Sequence, residues 1–324
     1  MNDPQPLVQD RLTHNSWGFL GQQGYVLGMD IGGYGLRTAL IDLQNHTYHP
    51  AYREISGGNA SELLASSIEL TQALLHQHGV EPGRLVRIGV GFAGPVDARR
   101  GVVLRSHRMA GWENFPLREH IEERFGAVTL LDNDANLIAL AEATFGVGRD
   151  LQHLFYLHLS SGVGGGLVLD GRLYHGATTM AGEVGHAVVG AIDPMYPNEA
   201  PRTLEQHLSI RGILQRAADL GCSTDLLSEI FSDPQAGQQM INEAAELLAV
   251  RLSQIIALVD PQMIILGGVV ARQAGEPLIN AIKQRIPAYM ASLIERPVQI
   301  VPSVLGFESV SIGALALALE SMRD

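Results

Sequence analysis

Cysteine and long hydrophobic runs are scarce in this chain, and each scarcity excludes a class of protein. The single cysteine, Cys222, rules out a disulfide framework and a cysteine-ligated zinc site within one chain. No apolar stretch approaches the roughly 20 residues that a membrane-spanning helix needs, and residues 1–15 lack the charged-then-apolar order of a signal peptide. We therefore expect a cytoplasmic protein without a membrane partner.

Basic residues are also scarce relative to acidic ones. The chain has 22 Lys and Arg against 34 Asp and Glu, which gives a formal net charge of -12. Nucleic acid and anionic membrane surfaces would both be repelled by this charge at long range. Neither is therefore expected as the main partner, and a nucleotide would have to bind through local backbone amides.

What the chain does have is length and apolar content. Its 324 residues, 46% of them hydrophobic, can bury a large core and predict two α/β lobes. Residues 1–24 show no sustained hydrophobic period and contain Pro4 and Pro6, so this segment is predicted to be a mobile tail.

Three glycine-rich turns follow predicted strands. The first lies in YVLGMDIGGYGLRTALIDL, the second in LFYLHLSSGVGGGLVLDGRLYHG and the third in QMIILGG, and the strand, turn, strand pattern of the first two indicates internal duplication. Each turn alone also fits a plain hairpin, but the three in order favour a nucleotide site, because glycine lets backbone amides approach phosphate oxygens. The candidate phosphate-binding residues are Gly32, Gly33, Ser161, Gly162, Gly164, Gly267 and Gly268. Asp30, beside the first turn, is a candidate for holding hydrated Mg²⁺.

Two polar clusters supply candidates for chemistry. Asp134, at a predicted strand-to-helix junction, can deprotonate a hydroxyl, although Asp and Asn at such a junction also cap helices. A second cluster contains Glu183, His186 and Glu205, whose side chains suit hydrogen bonds to adjacent sugar hydroxyls. Taken singly, each of these three residue types is more often simply on the surface.

With these motifs the chain resembles the ROK family of sugar kinases, repressors and related open reading frames, within the actin-like ATPase superfamily. The resemblance spans most of residues 25–322 and rests on GMDIGGYGLR, GVGFAGPVD, GVVLRSHRMAGWENFPL, DNDANLIALAE, SSGVGGGLVLDGRLYHGATTMAGEVGH and IILGG. It implies a two-lobed α/β, ribonuclease H-like fold with a central ligand cleft. The implied boundaries are an N-terminal lobe over 25–132, a C-terminal lobe over 133–310, and a closing helix over 311–324 that packs on the N-terminal lobe.

The resemblance also implies ligands and residue roles. ATP and Mg²⁺ would be the cofactors, a small-molecule sugar the substrate, and a homodimer the assembly. Asn133 corresponds to the family's sugar-binding asparagine and Asp134 to its catalytic base. Glu183, His186 and Glu205 correspond to its sugar contacts.

Two departures from the family pattern affect these expectations. Family members usually follow the Gly-His pair with a cysteine cluster that binds structural zinc, whereas this chain reads HAVVGAIDPMYPNEAPRTLEQHLS. We therefore expect no structural zinc, and a loop held by packing and its prolines or by another metal arrangement. Tyr34 replaces the usual threonine after the first glycine pair and is expected to crowd or reshape the phosphate pocket.

The function predicted from the sequence is ATP-dependent phosphorylation of a hexose or amino sugar. Asp134 would take a proton from a sugar hydroxyl, whose oxygen attacks the γ-phosphate. One alternative is a sugar-responsive regulator that has lost turnover and carries no DNA-binding domain. Another is an ATPase of the same fold that acts on no sugar.

Overall fold

The computed structural model describes residues 3–14, 22–32, 35–55, 57–81, 83–106, 109–189, 202–290 and 298–323. They form two compact units. Unit 1 comprises Met1–Asp150, Gly176–Thr179 and Val304–Asp324, and unit 2 comprises Leu151–His175 and Met180–Ser303.

Helices and strands alternate along the chain in both units. The elements up to Asp150 are α1 (Gln5–His14), β1 (Tyr25–Gly32), β2 (Gly35–Asp42), β3 (Thr47–Arg53), α2 (Ala60–Gln77), β4 (Leu85–Phe92), β5 (Val96–Asp97), β6 (Val102–Val103), α3 (Leu117–Phe125), β7 (Thr129–Asn133) and α4 (Asp134–Thr144). The elements after it are β8 (Leu154–Leu159), β9 (Val163–Leu169), β10 (Arg172–Leu173), α5 (Leu204–Leu208), α6 (Ile210–Asp219), α7 (Leu227–Ser232), α8 (Ala236–Val259), β11 (Met263–Gly267), α9 (Val269–Met290), β12 (Gln299–Pro302) and α10 (Ser309–Glu320). Short 3₁₀ helices occur at Val184–His186 and Gly306–Glu308. The predicted α/β class is confirmed.

Unit 1 is built on a five-stranded sheet with the order β3-β2-β1-β4-β7. β1 and β2 form an antiparallel hairpin, while β4 and β7 continue the sheet parallel to β1. Alternate residues of β1 face opposite sides, as strand geometry requires. Leu27 and Met29 pack in a core with α2 and α3, and Val26 packs in a second core with α1, α4 and α10.

The closing helix α10 lies directly on this sheet. A Cβ on Gly89 of β4 would overlap the backbone of Ala314, and a Cβ on Gly28 of β1 would overlap the backbone of Ser311. Glycine at these two positions therefore lets the helix approach the strands closely. α10 belongs to unit 1, which the chain re-enters at Val304.

Part of the predicted mobile tail is an ordered helix. Val8 and Leu12 of α1 are fully buried in the second core of unit 1. Asp10 accepts from Arg149 at 3.0 Å, and Arg11 pairs with Asp150 at 3.0 Å. The prediction of mobility is therefore wrong for residues 5–14, because the helical period there is too short to stand out from the sequence alone.

Unit 2 repeats the sheet of unit 1. Its order is β10-β9-β8-β11-β12, with antiparallel pairing through β8, β9 and β10 and parallel pairing of β8, β11 and β12. The matching order and directions agree with the internal duplication that the two hairpin patterns indicate. A single core joins these strands to α5, α6, α7, α8 and α9. α9 contains a kink at Gly275, where φ is 59°.

The boundary between the units differs from the predicted one. Unit 1 continues to Asp150, so α4 and the residue pair at its start belong to unit 1 rather than to a C-terminal lobe beginning at residue 133. Within the described ranges, no helix is long and apolar enough to cross a membrane.

Candidate active site

Unit 1 brings two predicted site carboxylates, Asp30 and Asp134, into electrostatic contact. Asp30 lies near the end of β1, is 6% exposed and is paired across the hairpin with Arg37 of β2. An Arg37 guanidinium nitrogen lies 3.7 Å from an Asp30 oxygen, and the guanidinium stacks over the Tyr52 ring at 4.7 Å. Burial raises the pKa of Asp30 to about 7, Arg37 opposes that shift, and the charge of Asp134 adds to it.

This pair of carboxylates fits a hard cation. Oxygen donors of this kind suit Mg²⁺, which usually keeps several waters and takes one or two carboxylates. A divalent cation there would offset both the cost of burying the charged Asp30 carboxylate and its repulsion by Asp134. Arg37 already supplies part of that compensation, which favours a water-mediated contact over direct ligation by Asp30.

The junction between β7 and α4 positions Asp134. The N-cap of α4 is Asn133, whose side-chain oxygen accepts from the backbone N–H of Asn136 at 2.8 Å. Asp134 is the first helical residue, and its Oδ1 accepts from the N–H of Ala135 at 2.8 Å. Asp132, 2% exposed, accepts from the Asn136 amide group at 2.9 Å and braces the turn. Capping therefore explains Asn133 and does not explain the carboxylate at position 134.

In unit 2, the turn between β8 and β9 carries Ser161 and Gly162. Ser160 donates its N–H to the Gly162 carbonyl at 2.9 Å, which closes a tight turn. The Ser160 carbonyl accepts from the N–H of Ile210, at the start of α6, at 2.7 Å. Ser209 caps that helix with a 3.3 Å bond from the N–H of Gly212. The serine turn is thus anchored to the α5–α6 junction.

One glycine in each of the second and third turns is explained by close packing. A Cβ on Gly165 would lie 2.7 Å from the Phe155 ring and 3.1 Å from the Gly182 carbonyl oxygen. Gly268, at φ +89°, faces the backbone of Leu159, which a Cβ would overlap. The glycine-rich pattern therefore serves close packing as well as the predicted approach to phosphate.

His158 and Tyr156 are neighbours of the glycine turns and are not among the site residues predicted from the sequence. His158 is paired with Gly164 on one side and Gly267 on the other, and its Nδ1 lies 2.8 Å from the Tyr156 hydroxyl. Burial lowers the pKa of His158 to about 4, with a smaller contribution from the charge of Arg272. The imidazole is therefore neutral at physiological pH. The signal in the sequence is a single histidine in an otherwise apolar strand that leads into a glycine turn.

The second predicted polar cluster lies in unit 2. Glu183 precedes the 3₁₀ helix, and its Oε2 lies 3.6 Å from Nε2 of His186, whose side chain is 65% exposed. Glu205, in α5, accepts from the backbone N–H of Val163 at 3.0 Å through Oε2. The structure therefore places the Glu205 carboxylate against the first residue of β9, a contact that the spacing of the two residues in the sequence does not reveal.

The loop that lacks the cysteine cluster is closed at its base by the backbone. Val188 and Thr203 form an antiparallel bridge, the Val189 N–H donates to the Arg202 carbonyl at 2.9 Å, and Arg251 donates to the Val188 carbonyl at 3.0 Å. Among the residues that the structure describes, no group of three or more His, Cys, Asp or Glu side chains is placed to hold a metal ion. Residues 190–201 lie outside the described residues, as do Gly33 and Tyr34.

A family model and several known proteins match this chain over most of its length. The model of the ROK family matches residues 26–321. A glucokinase of Halalkalibacterium halodurans is 26% identical over 313 residues, which cover 89% of this chain and 93% of the relative. A xylose repressor of Caldicellulosiruptor bescii is 26% identical over 319 residues, which cover 92% of this chain and 79% of the repressor. The crystal structure of a ROK hexokinase from Thermus thermophilus is 28% identical with a TM-score of 0.79, covering 93% of this chain and 99% of that one.

Proposed function

The chain belongs to the ROK family, and from this premise we propose that it is an ATP-dependent kinase of a hexose or an amino sugar. The observation that carries the proposal is the start of α4. Asn133 supplies the helix cap, so capping does not account for the carboxylate of Asp134, whose charge acts on the buried Asp30. A carboxylate in this setting suits a general base.

The proposed reaction is a direct phosphoryl transfer. Asp134 accepts the proton of a sugar hydroxyl while the hydroxyl oxygen forms a bond to the γ-phosphorus. The bond from that phosphorus to the bridging oxygen of ADP breaks, and ADP leaves with the electron pair. Magnesium, when bound, neutralises the phosphate oxygens, and Asp30 would hold it through water. Most of the acceleration would come from positioning and electrostatics.

The proposed sugar contacts are the residues that correspond to the family's sugar-binding positions. In unit 1, Asn133 uses its oxygen in the helix cap, and its amide nitrogen can donate to a hydroxyl. In unit 2, Glu183, His186 and Glu205 offer two carboxylates and an imidazole. The proposed phosphate-binding groups are the backbone amides of the glycine turns and the hydroxyl of Ser161. Of these groups, the ones at Gly33 lie outside the described residues.

A second candidate is a sugar-responsive regulator without turnover. The similarity to a xylose repressor, equal in identity to the similarity to a glucokinase, favours it. The net charge of -12 is unfavourable for a direct contact with DNA. The homodimer and the cytoplasmic location expected from the sequence remain part of the proposal.

A coupled ADP-release assay across a panel of hexoses and N-acetylhexosamines, with ATP and Mg²⁺, tests the proposal. Sugar-dependent ADP release is the expected result. Sugar binding by calorimetry without ADP release would instead establish the regulator. ADP release at the same rate with and without sugar would identify an ATPase and overturn the kinase assignment.

A further inference from the structure

Val163, the first residue after the serine turn, is held on both sides of its backbone. Its N–H donates to Oε2 of Glu205 at 3.0 Å. On the other side, a Cβ on Gly185 would overlap the Val163 carbonyl oxygen, so the 3₁₀ helix is in close backbone contact with Val163. Val163 itself is 5% exposed. Two segments that carry proposed sugar contacts therefore meet at one buried residue of β9.

Glu205 also lies beside the turn itself. A Cβ on Gly162 would be 3.0 Å from the same Oε2 atom. Five residues further along, the N–H of Ile210 holds the Ser160 carbonyl at 2.7 Å. Both ends of the turn are thus bound by one short stretch, residues 205–210. Glu205 lies in the first turn of α5, which is fixed by a capping box in which Thr203 and Gln206 exchange hydrogen bonds.

From these contacts we propose that Glu205 is a positioning residue for the serine turn Ser160–Gly162 and couples nucleotide binding to sugar binding. The coupling rests on the proposed function. A carboxylate that accepts a backbone N–H makes a charge-assisted bond, which is stronger than a neutral one. When a sugar hydroxyl donates to the same carboxylate, it fixes the rotamer that holds Val163, and the turn is ordered before the phosphates arrive. Linkage then requires a nucleotide to strengthen sugar binding by the same factor.

The test separates the bond to Val163 from the charge of Glu205. Glu205→Gln retains an oxygen that can accept the Val163 N–H, whereas Glu205→Ala leaves that buried N–H without its acceptor. Glu183→Ala is the matched control, because it removes another proposed sugar carboxylate of unit 2. Calorimetry measures the Kd of adenylyl imidodiphosphate with Mg²⁺, with and without the preferred sugar. Amide hydrogen exchange of the peptide spanning residues 160–167, in the protein without ligands, measures how well the backbone amides of the turn and of Val163 are protected.

In the absence of sugar, we expect Glu205→Ala to raise the Kd of the ATP analogue, adenylyl imidodiphosphate, by about tenfold. This is the scale of one charge-assisted hydrogen bond. Glu205→Gln should stay within about threefold of the wild-type Kd, and Glu183→Ala should lose sugar affinity only. Exchange at the Val163 amide should quicken in Glu205→Ala. The positioning role is refuted if that variant keeps both the wild-type exchange rate and the wild-type analogue Kd. If wild type binds no analogue, the proposed kinase function fails while the exchange data still decide the role of Glu205.

Discussion

Replacing Asp134 with asparagine separates general-base catalysis from the local hydrogen bonding at the start of α4. The asparagine oxygen can still accept the N–H of Ala135, which Asp134 Oδ1 accepts at 2.8 Å, and the cap of α4 is untouched because Asn133 supplies it. Loss of a carboxylate in the first helical turn costs about 0.3–1 kcal/mol through the helix dipole. Relief of the repulsion on Asp30 offsets part of that cost. The free energy of unfolding should therefore change by less than about 1 kcal/mol.

Turnover should respond far more strongly than stability. Loss of a general base typically lowers kcat by roughly 10²–10⁴-fold, or about 3–5 kcal/mol of activation free energy. Sugar affinity should change little, because the amide still hydrogen-bonds a hydroxyl. Steady-state kinetics, calorimetry with the preferred sugar and thermal melting make the comparison. Glu119→Gln, which removes an exposed carboxylate from the first turn of α3, is the matched control. A kcat for Asp134→Asn within twofold of wild type, with Glu119→Gln equal to wild type, would refute the assignment of the base.

Three further predictions concern stability and composition. Leu12→Ala should lower the free energy of unfolding by about 2–5 kcal/mol, whereas the exposed Thr13→Ala should not; equal denaturant midpoints for both would mean that α1 is not docked. His158, whose folded pKa of about 4 lies below the unfolded value, takes up a proton on unfolding between those values, so stability should fall as pH drops from about 6.5 to 4. Across that window the free energy of unfolding, measured in urea, should fall by up to about 3 kcal/mol more in wild type than in His158→Gln. Parallel plots of unfolding free energy against pH for the two proteins would contradict this prediction. Elemental analysis should find no stoichiometric zinc, and one zinc per chain would overturn that expectation.

The sequence predicts those parts of the fold that depend on local periodicity. The hydrophobic spacing predicts a helix over residues 60–78, and the structure has α2 at Ala60–Gln77. The helix predicted over 117–125 is α3, with the same bounds. The spacing predicts a helix over residues 242–259, whereas α8 begins earlier, at Ala236, whose N–H donates to Oδ1 of Asp233 at 2.7 Å. Helix existence is thus easier to predict than helix boundaries, which depend on such individual hydrogen bonds.

The site is less predictable, because its contacts join residues that are distant in sequence. Asp30 and Asp134 are separated by more than a hundred positions, and only the parallel pairing of β1, β4 and β7 brings their strand ends to one edge. The bond between Glu205 and Val163 likewise spans 42 residues. No local pattern encodes either contact. The family resemblance predicts which residues form the site, and the structure adds the contacts that several of them make.

The duplicated sheets carry different chemistry at the same point in their topology. In unit 1, the hairpin of the first strand holds the buried carboxylate of Asp30 opposite Arg37. In unit 2, the equivalent hairpin between β8 and β9 carries Ser160, Ser161 and Gly162, and its charge comes from Glu205 of α5, bonded to the backbone. A carboxylate near phosphate repels it unless a cation intervenes, whereas hydroxyls and amides bind phosphate directly. The first hairpin therefore suits a cation-mediated contact with phosphate. The second offers hydroxyls for a direct contact, beside a carboxylate whose charge is partly compensated by the Val163 N–H.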